Sequence, residues 1–360
     1  MPTLKPSHPY ISRMEPYEPP DIEAAAEQAG VDKEGLIRLV ANENPFGPSP
    51  RVAEALGAFE EYHLHPDYGS LKEAVAGYVG VTSDHVVLSN GADEMIDLLI
   101  RLLVEPGEAV VVCPPTFAMY RFYGRVNRCR VLNAPRREDL SLDVPAIERA
   151  VRGSGGEARL LFIVSPGNPS GQAIPLALTE RLLELPVMVC VDEAYIEFGG
   201  ESALSLLAGY DNLVVIRTFS KWAGLAGLRL GYAVARPELA GYLNRIRPPY
   251  NVNAAAMVAA LATFDDLERV EANVARLIAE RERLTEALRE VPWLDPLPSD
   301  TNFILIRVEG RDPEGVVEGL AERGILIRDF SSPAMAGHVR VSVGRPDQND
   351  ALIAALEGMS

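Results

Sequence analysis

The sequence predicts an α/β protein in which a mainly parallel sheet, covered by helices, is followed by a smaller α+β unit. Three observations lead there. Short β-branched runs alternate with helical segments through the middle of the chain, the signature of successive βα units. Several of those runs are apolar without alternation, as strands are when both faces of a sheet are covered. After Asn253 the pattern changes to a long stretch of helical spacing and then to a short mixture of strands and helices. With 360 residues, 48% hydrophobic and 24% charged, the chain has material for one large domain and one smaller one. The expected division is 42–252 for the large domain, and 1–41 with 253–360 for the small domain and its N-terminal arm. The Pro-rich first 40 residues are too short to fold alone and are expected to pack across one of the two.

In chain order, the candidate strands are VVLS (86–89), AVVVC (109–113), LLFIVS (160–165), VMVCVDE (187–193), LVVIRT (213–218) and LGYAVA (230–235). The helical stretch after Asn253 carries apolar residues at Val270, Val274, Leu277, Ile278, Leu284 and Leu288. The tail then reads as NFILIRV, a helix near 314–322, GILIRDF, HVRVSVG and a last helix from about Asp347. There is no internal repeat and no low-complexity segment.

A formal charge of -17 and a pI near 4.8 disfavour nucleic acid and anionic membrane surfaces as partners. An anionic small molecule would need a locally basic pocket. Cys113, Cys129 and Cys190 are too few for a disulfide framework, and two of them lie in apolar strand runs. No stretch has the length of a membrane span and the first 20 residues lack the apolar run of a signal peptide, so a soluble, cytoplasmic protein is expected. His8, His63, His65, His85 and His338 form no metal-binding spacing, and no metal is expected. No G-x-S-x-G, Walker A or G-x-G-x-x-G motif is present. Of 34 basic residues only Lys5, Lys33, Lys72 and Lys221 are lysines.

Lys221 closes Thr218, Phe219, Ser220, Lys221 directly after an apolar strand, where open α/β sheets keep their ligand crevices. A lysine there can form an imine with an aldehyde cofactor, while Ser220 and Arg229 offer a hydroxyl and a guanidinium to a phosphate. The plainer alternative is a solvated loop lysine. Asp192 ends the strand VMVCVDE, with Tyr195 three residues on. A carboxylate after such a run either faces a ligand or caps a helix, since burying it unpaired is costly. Pyridoxal phosphate needs an acid against its ring nitrogen so that the ring works as an electron sink, and Tyr195 would suit the ring hydroxyl. Asn168, in the turn-rich SPGNPSG, is either a cofactor-facing amide or a plain Asn-Pro turn. Gly91, Ala92, Asp93 and Glu94 open a helix whose free amides suit a phosphate, although glycine is ordinary at a helix start. Phe117 can stack on a flat ring or simply belong to the core.

Together these residues resemble the fold-type I pyridoxal-phosphate aminotransferases, and within them the histidinol-phosphate aminotransferase family. The resemblance runs through ANENPFGPSP, SNGADEMIDLLIRLLVEPGE, PPTFAMYRFY, SPGNPSG, VDEAYIEF, RTFSKWAGLAGLRLGYAVA, PYNVNAAA, NFILIRV, GILIRDF and VRVSVGRPDQND. It implies a seven-stranded sheet and a homodimer, with Lys221 carrying the cofactor imine and moving the proton between substrate and cofactor carbons. By the same resemblance Asp192 pairs with the ring nitrogen, Asn168 and Tyr195 contact the ring hydroxyl, and Phe117 stacks on the ring. Ala92, Asp93, Thr218, Ser220 and Arg229 surround the cofactor phosphate. Arg328 and Arg340 hold the substrate phosphate and the carboxylate of glutamate or 2-oxoglutarate, a task suited to forked guanidiniums, and Tyr17 closes over the substrate. Alternatively, Arg328 is spent in an ion pair. Two departures stand out: His65 replaces a family tyrosine that reaches the partner subunit's cofactor phosphate, leaving His65 or Tyr68 for that role, and Gly167 stands where asparagine is common. An aromatic or broad-specificity aminotransferase and a threonine-phosphate decarboxylase share the cofactor residues and are the rival activities.

Overall fold

The computed structural model describes residues 11, 14, 21–330 and 332–359, so Tyr17 lies outside the described residues. Along the chain come α1 (Ile22–Ala29), β1 (Ile37–Arg38), α2 (Pro50–Ala58), α3 (Gly69–Val79), β2 (Val86–Ser89), α4 (Gly91–Leu103), β3 (Ala109–Val112), α5 (Met119–Val126) and β4 (Arg130–Asn133). Then follow α6 (Val144–Gly153), β5 (Ala158–Val164), α7 (Leu176–Leu183), β6 (Met188–Asp192), β7 (Leu213–Thr218), β8 (Gly231–Ala235), α8 (Pro237–Ile246), α9 (Ala254–Phe264) and α10 (Leu267–Arg289). The tail holds β9 (Leu294–Pro296), β10 (Phe303–Val308), α11 (Pro313–Ala321), β11 (Ile325–Leu326), β12 (Arg328–Asp329), β13 (His338–Ser342) and α12 (Pro346–Glu357).

The large sheet has seven strands in the order β2-β8-β7-β6-β5-β3-β4. Pairings from β4 through β7 are parallel; only β8 runs antiparallel to both its neighbours. The six strands expected from β-branched runs all form, each within two residues of its expected ends. The seventh, β4, escapes the pattern because it is a half-exposed edge strand, RVLN, which is free to be polar. Alternation along the strands sorts the core into two layers. Val189, Val191, Leu213 and Val215 face one layer under α3, α6, α7 and α9. Cys190, Val214 and Ile216 face the other, under α4, α5 and α8.

The helical stretch after Asn253 is two helices, because Asp265 and Asp266, poor helix formers, break it, and Asp266 turns instead to accept from Ser49 Oγ. Helix α10 touches both cores: Val270, Val274 and Leu277 belong to the large sheet's layer, Leu284 and Leu288 to the tail's. In the tail, β12-β13-β10-β9 form an antiparallel sheet. The run GILIRDF serves two sheets, since β11 pairs in parallel with β1 while β12 joins β13. Residues 37–40 thereby lie against the tail: Leu39 exchanges backbone bonds with Leu326 and Ser342, and its side chain sits in the tail core.

Candidate active site

Three clusters meet where β5, β6 and β7 end. The first is built on Asp192, the last residue of β6, which continues the layer under α4, α5 and α8 and is 3% exposed. Its Oδ2 accepts from Tyr120 Oη at 2.6 Å and its Oδ1 from the Ala194 N–H at 3.0 Å. Burial pushes the carboxyl up to about 6, and those two donors pull the other way. Tyr120 stacks on Phe162 and meets Phe117 edge-on.

The second cluster surrounds Lys221. Its Nζ donates to Ala41 O at 2.9 Å and stands 6.0 Å from the centre of the Tyr195 ring. Burial lowers the amine to about 8, the Arg340 guanidinium adds to that, and Glu43 and Asp93 oppose it. Tyr195 Oη accepts from Asn42 Nδ2 at 3.0 Å and from Asn168 Nδ2 at 3.5 Å. Arg340, from β13, donates to Asn168 Oδ1 and to Val40 O, both at 2.8 Å. Asn42 itself has left-handed backbone (φ 54) and is 1% exposed, bonded to Ser342 and Asn302 of the tail.

The third cluster is polar and ready for an anion. Thr218 Oγ1 and Ser220 Oγ bond at 2.9 Å, and Arg229 Nη2 meets Asp93 Oδ2 at 3.0 Å. Helix α4 begins at Gly91 with no side-chain cap, leaving first-turn amides of Ala92 and Asp93 as donors beside the positive end of the helix. Gly91 is required there twice over: its φ is +76, and a Cβ would lie 2.8 Å from Arg229 Nη2.

Arg328 stands directly opposite Arg340 in the β12–β13 register, so both guanidiniums rise from one face of the tail sheet. Among the described residues Arg328 makes no ion pair. His65 and Tyr68 are not drawn in. His65 is exposed and stacks on Tyr250 at 4.1 Å, while Tyr68 Oη receives the Val252 N–H at 3.1 Å beneath Arg247. Sequence reasoning missed Tyr120 and Asn42. Both sit inside matched stretches, PPTFAMYRFY and ANENPFGPSP, yet Tyr120 lies within a helix and Asn42 follows only the two-residue β1, too short to be read as a strand in the sequence.

This is the donor set that pyridoxal phosphate needs: an amine lowered toward neutrality, a buried carboxylate, two donors around a phenol oxygen, and an uncapped helix start beside a guanidinium. The fold and the site define a class, the class I and II aminotransferases, whose family model matches residues 34–356. Histidinol-phosphate aminotransferase of Roseiflexus castenholzii is 45% identical, covering 97% of this chain and 96% of its own. The chloroplastic histidinol-phosphate aminotransferase of Nicotiana plumbaginifolia is 43% identical over 97% of this chain and 85% of its own. The crystal structure of the Sinorhizobium meliloti histidinol-phosphate aminotransferase in complex with pyridoxal-5'-phosphate superposes with a TM-score of 0.88 at 28% identity, covering 99% and 98% of the two chains. The chain belongs to the histidinol-phosphate aminotransferase family.

Proposed function

We propose that this chain moves an amino group between histidinol phosphate and 2-oxoglutarate with pyridoxal phosphate as cofactor. The observation that carries the reading is Lys221: a half-buried amine bonded to Ala41 O beside the Tyr195 ring, lowered to about 8 by burial and by a tail arginine. The cofactor, when bound, supplies an aldehyde and an electron-withdrawing ring. Asp192 would face its ring nitrogen and Phe117 its ring plane, with Asn168 and Tyr195 at the ring oxygen. Thr218, Ser220, Arg229 and the amides of Ala92 and Asp93 would hold its phosphate. Lys221 Nζ would take and return the proton at the substrate carbon as the single base of a ping-pong cycle. Arg340 and Arg328, two cations on one sheet face, suit the carboxylate of glutamate and the phosphate of histidinol phosphate, with Tyr17 closing over them.

We read residues 42–252 as the cofactor domain and 1–41 with 253–360 as the substrate-side domain, except that α9 packs on the large sheet's layer and α10 touches both cores. A cytoplasmic homodimer is part of the same reading. The surface around His65 supports it, for Tyr62, Leu64 and Tyr250 are 64%, 53% and 53% exposed there, a patch suited to a second copy and to His65 or Tyr68 reaching the partner's cofactor phosphate. No helix among the described residues is long and apolar enough to cross a membrane.

The test is a half-reaction. The holoenzyme is mixed separately with histidinol phosphate, histidinol, phenylalanine and threonine phosphate, and conversion of the cofactor to its amine form is followed by absorbance. Fast conversion with histidinol phosphate alone is expected. Equal conversion with phenylalanine would overturn the substrate, and release of carbon dioxide from threonine phosphate would make the chain a lyase.

A further inference from the structure

Arg136 is a half-buried cation without an acid among the described residues. Its loop follows the edge strand β4, and its backbone N–H donates to Pro114 O at 2.8 Å, at the start of the loop that carries Phe117. The side chain turns inward, where Nη1 donates to Leu140 O at 2.9 Å, and Nε is shut off from solvent without a partner. Nη2 lies 3.5 Å from the place a Cβ on Gly167, the residue before Asn168, would occupy. No carboxylate pairs with it among the described residues. Burial lowers its affinity for the proton, and Cys113 and Tyr120 are the groups that oppose this. Tyr120 is the donor to Asp192.

A desolvated guanidinium with neutral partners costs stability that an apolar side chain of the same volume would not. What the cation does here is geometric. Asn168 and the residue before it are flanked from two sides: Arg340 of the tail holds Asn168 Oδ1 at 2.8 Å, and Arg136 Nη2 lies beside Gly167, 3.5 Å from where a Cβ would sit. With Oδ1 held, the Asn168 amide has one direction left for its Nδ2, toward Tyr195 Oη.

We propose that Arg136 is a positioning residue of the aminotransferase site: its guanidinium, set beside Gly167, fixes Asn168 for its contact with the cofactor oxygen. The inference rests on the reading of Asn168 as a cofactor contact, and it assigns Arg136 no contact with substrate.

The experiment compares wild type, Arg136→Met, Asn168→Ala and the double variant by two readouts: the dissociation constant for pyridoxal phosphate added to the apo-protein, and the pH at which the visible band of the bound cofactor titrates. Arg136→Met is expected to weaken binding about tenfold and to move the titration to higher pH, because a donor and a cation that disfavour protonation are both weakened. Asn168→Ala should do the same. The double variant should bind the cofactor no worse than Asn168→Ala alone, as coupled neighbours behave. Arg136→Met with unchanged affinity and unchanged titration, whatever its melting temperature, would overturn the proposal, and so would full additivity with Asn168→Ala in the dissociation constant. Should Arg136→Met not fold, Arg136→Lys carries the test: a weakening of about threefold coupled to Asn168 supports the role, and wild-type behaviour in both readouts overturns it. Failure of the wild-type protein to bind pyridoxal phosphate would instead sink the functional reading beneath it.

Discussion

Asp192 and Glu193 are neighbours in the chain, as are Arg217 and Thr218, yet the two members of each pair live in opposite chemical worlds. Glu193 and Arg217 face the layer under α3 and α9, where the guanidinium donates to the carboxylate through Nε at 3.0 Å and Nη2 at 2.8 Å, and Ser202 Oγ bonds both. Asp192 and Thr218 face the other way, into the site. Behind the sheet each of these charges meets its opposite; in front, a carboxylate and an amine have, among the described residues, only neutral donors and acceptors for direct partners. The two-residue period of a strand thus separates charge that holds the fold from charge kept for a ligand.

The sharpest break between the two faces should come from Lys221→Ala. We expect loss of the visible cofactor band and a fall of about a thousandfold or more in the half-reaction, with little change in urea midpoint; an unchanged spectrum would refute the lysine's role. Arg217→Met should do the reverse. It leaves Glu193 buried and unpaired, a change that costs about 3 to 5 kcal/mol, read as a lower urea midpoint, while protein that does fold keeps the cofactor band. If Arg217→Met instead spared stability and erased the band, the division between faces would be wrong.

Asp192→Asn tests the front face by its own cost. The folded carboxyl lies at about 6, above its ordinary range of about 4, so the folded apo-protein holds this proton more tightly than the unfolded chain does. The stability this gives is complete at low pH and is lost as pH rises through about 6. Relative to Asp192→Asn, wild-type apo-protein should therefore weaken between about pH 4 and 6 by on the order of 2 kcal/mol and stay flat above. Smallest of all is the effect on capture: the rate at which apo-protein takes up pyridoxal phosphate should climb with pH to about 8, where Lys221 loses its proton, and then level off. A rise continuing toward pH 10 would place that amine in solvent.

The front face was legible because it sits at strand ends. Asp192, Lys221 and Asn168 each follow an apolar run, and an apolar run followed by a polar residue is a local pattern. Arg328 and Arg340 needed the resemblance, since only the register of two short strands sets them side by side. Asn42 was illegible for a different reason. Its contacts reach Tyr195, Asn302 and Ser342, 153, 260 and 300 residues away, and no periodicity carries information over such spans. The back face could not be read either: Glu193 and Arg217 look like any charges beside a strand until pairing brings β6 and β7 together.

Residues 39–42 bind the order of synthesis to the order of assembly. Leu39, Val40 and Asn42 emerge early, but the groups that hold them, Leu326, Arg340, Ser342 and Asn302, come in the last sixth of the chain. A nascent chain can close its large sheet soon after β8 is made, since domains fold as units during translation. The carbonyl that receives Lys221 belongs to Ala41, within that same stretch. A protein that stops short of β13 would thus have its lysine, its carboxylate and its helix start, and still lack the strap that aims them.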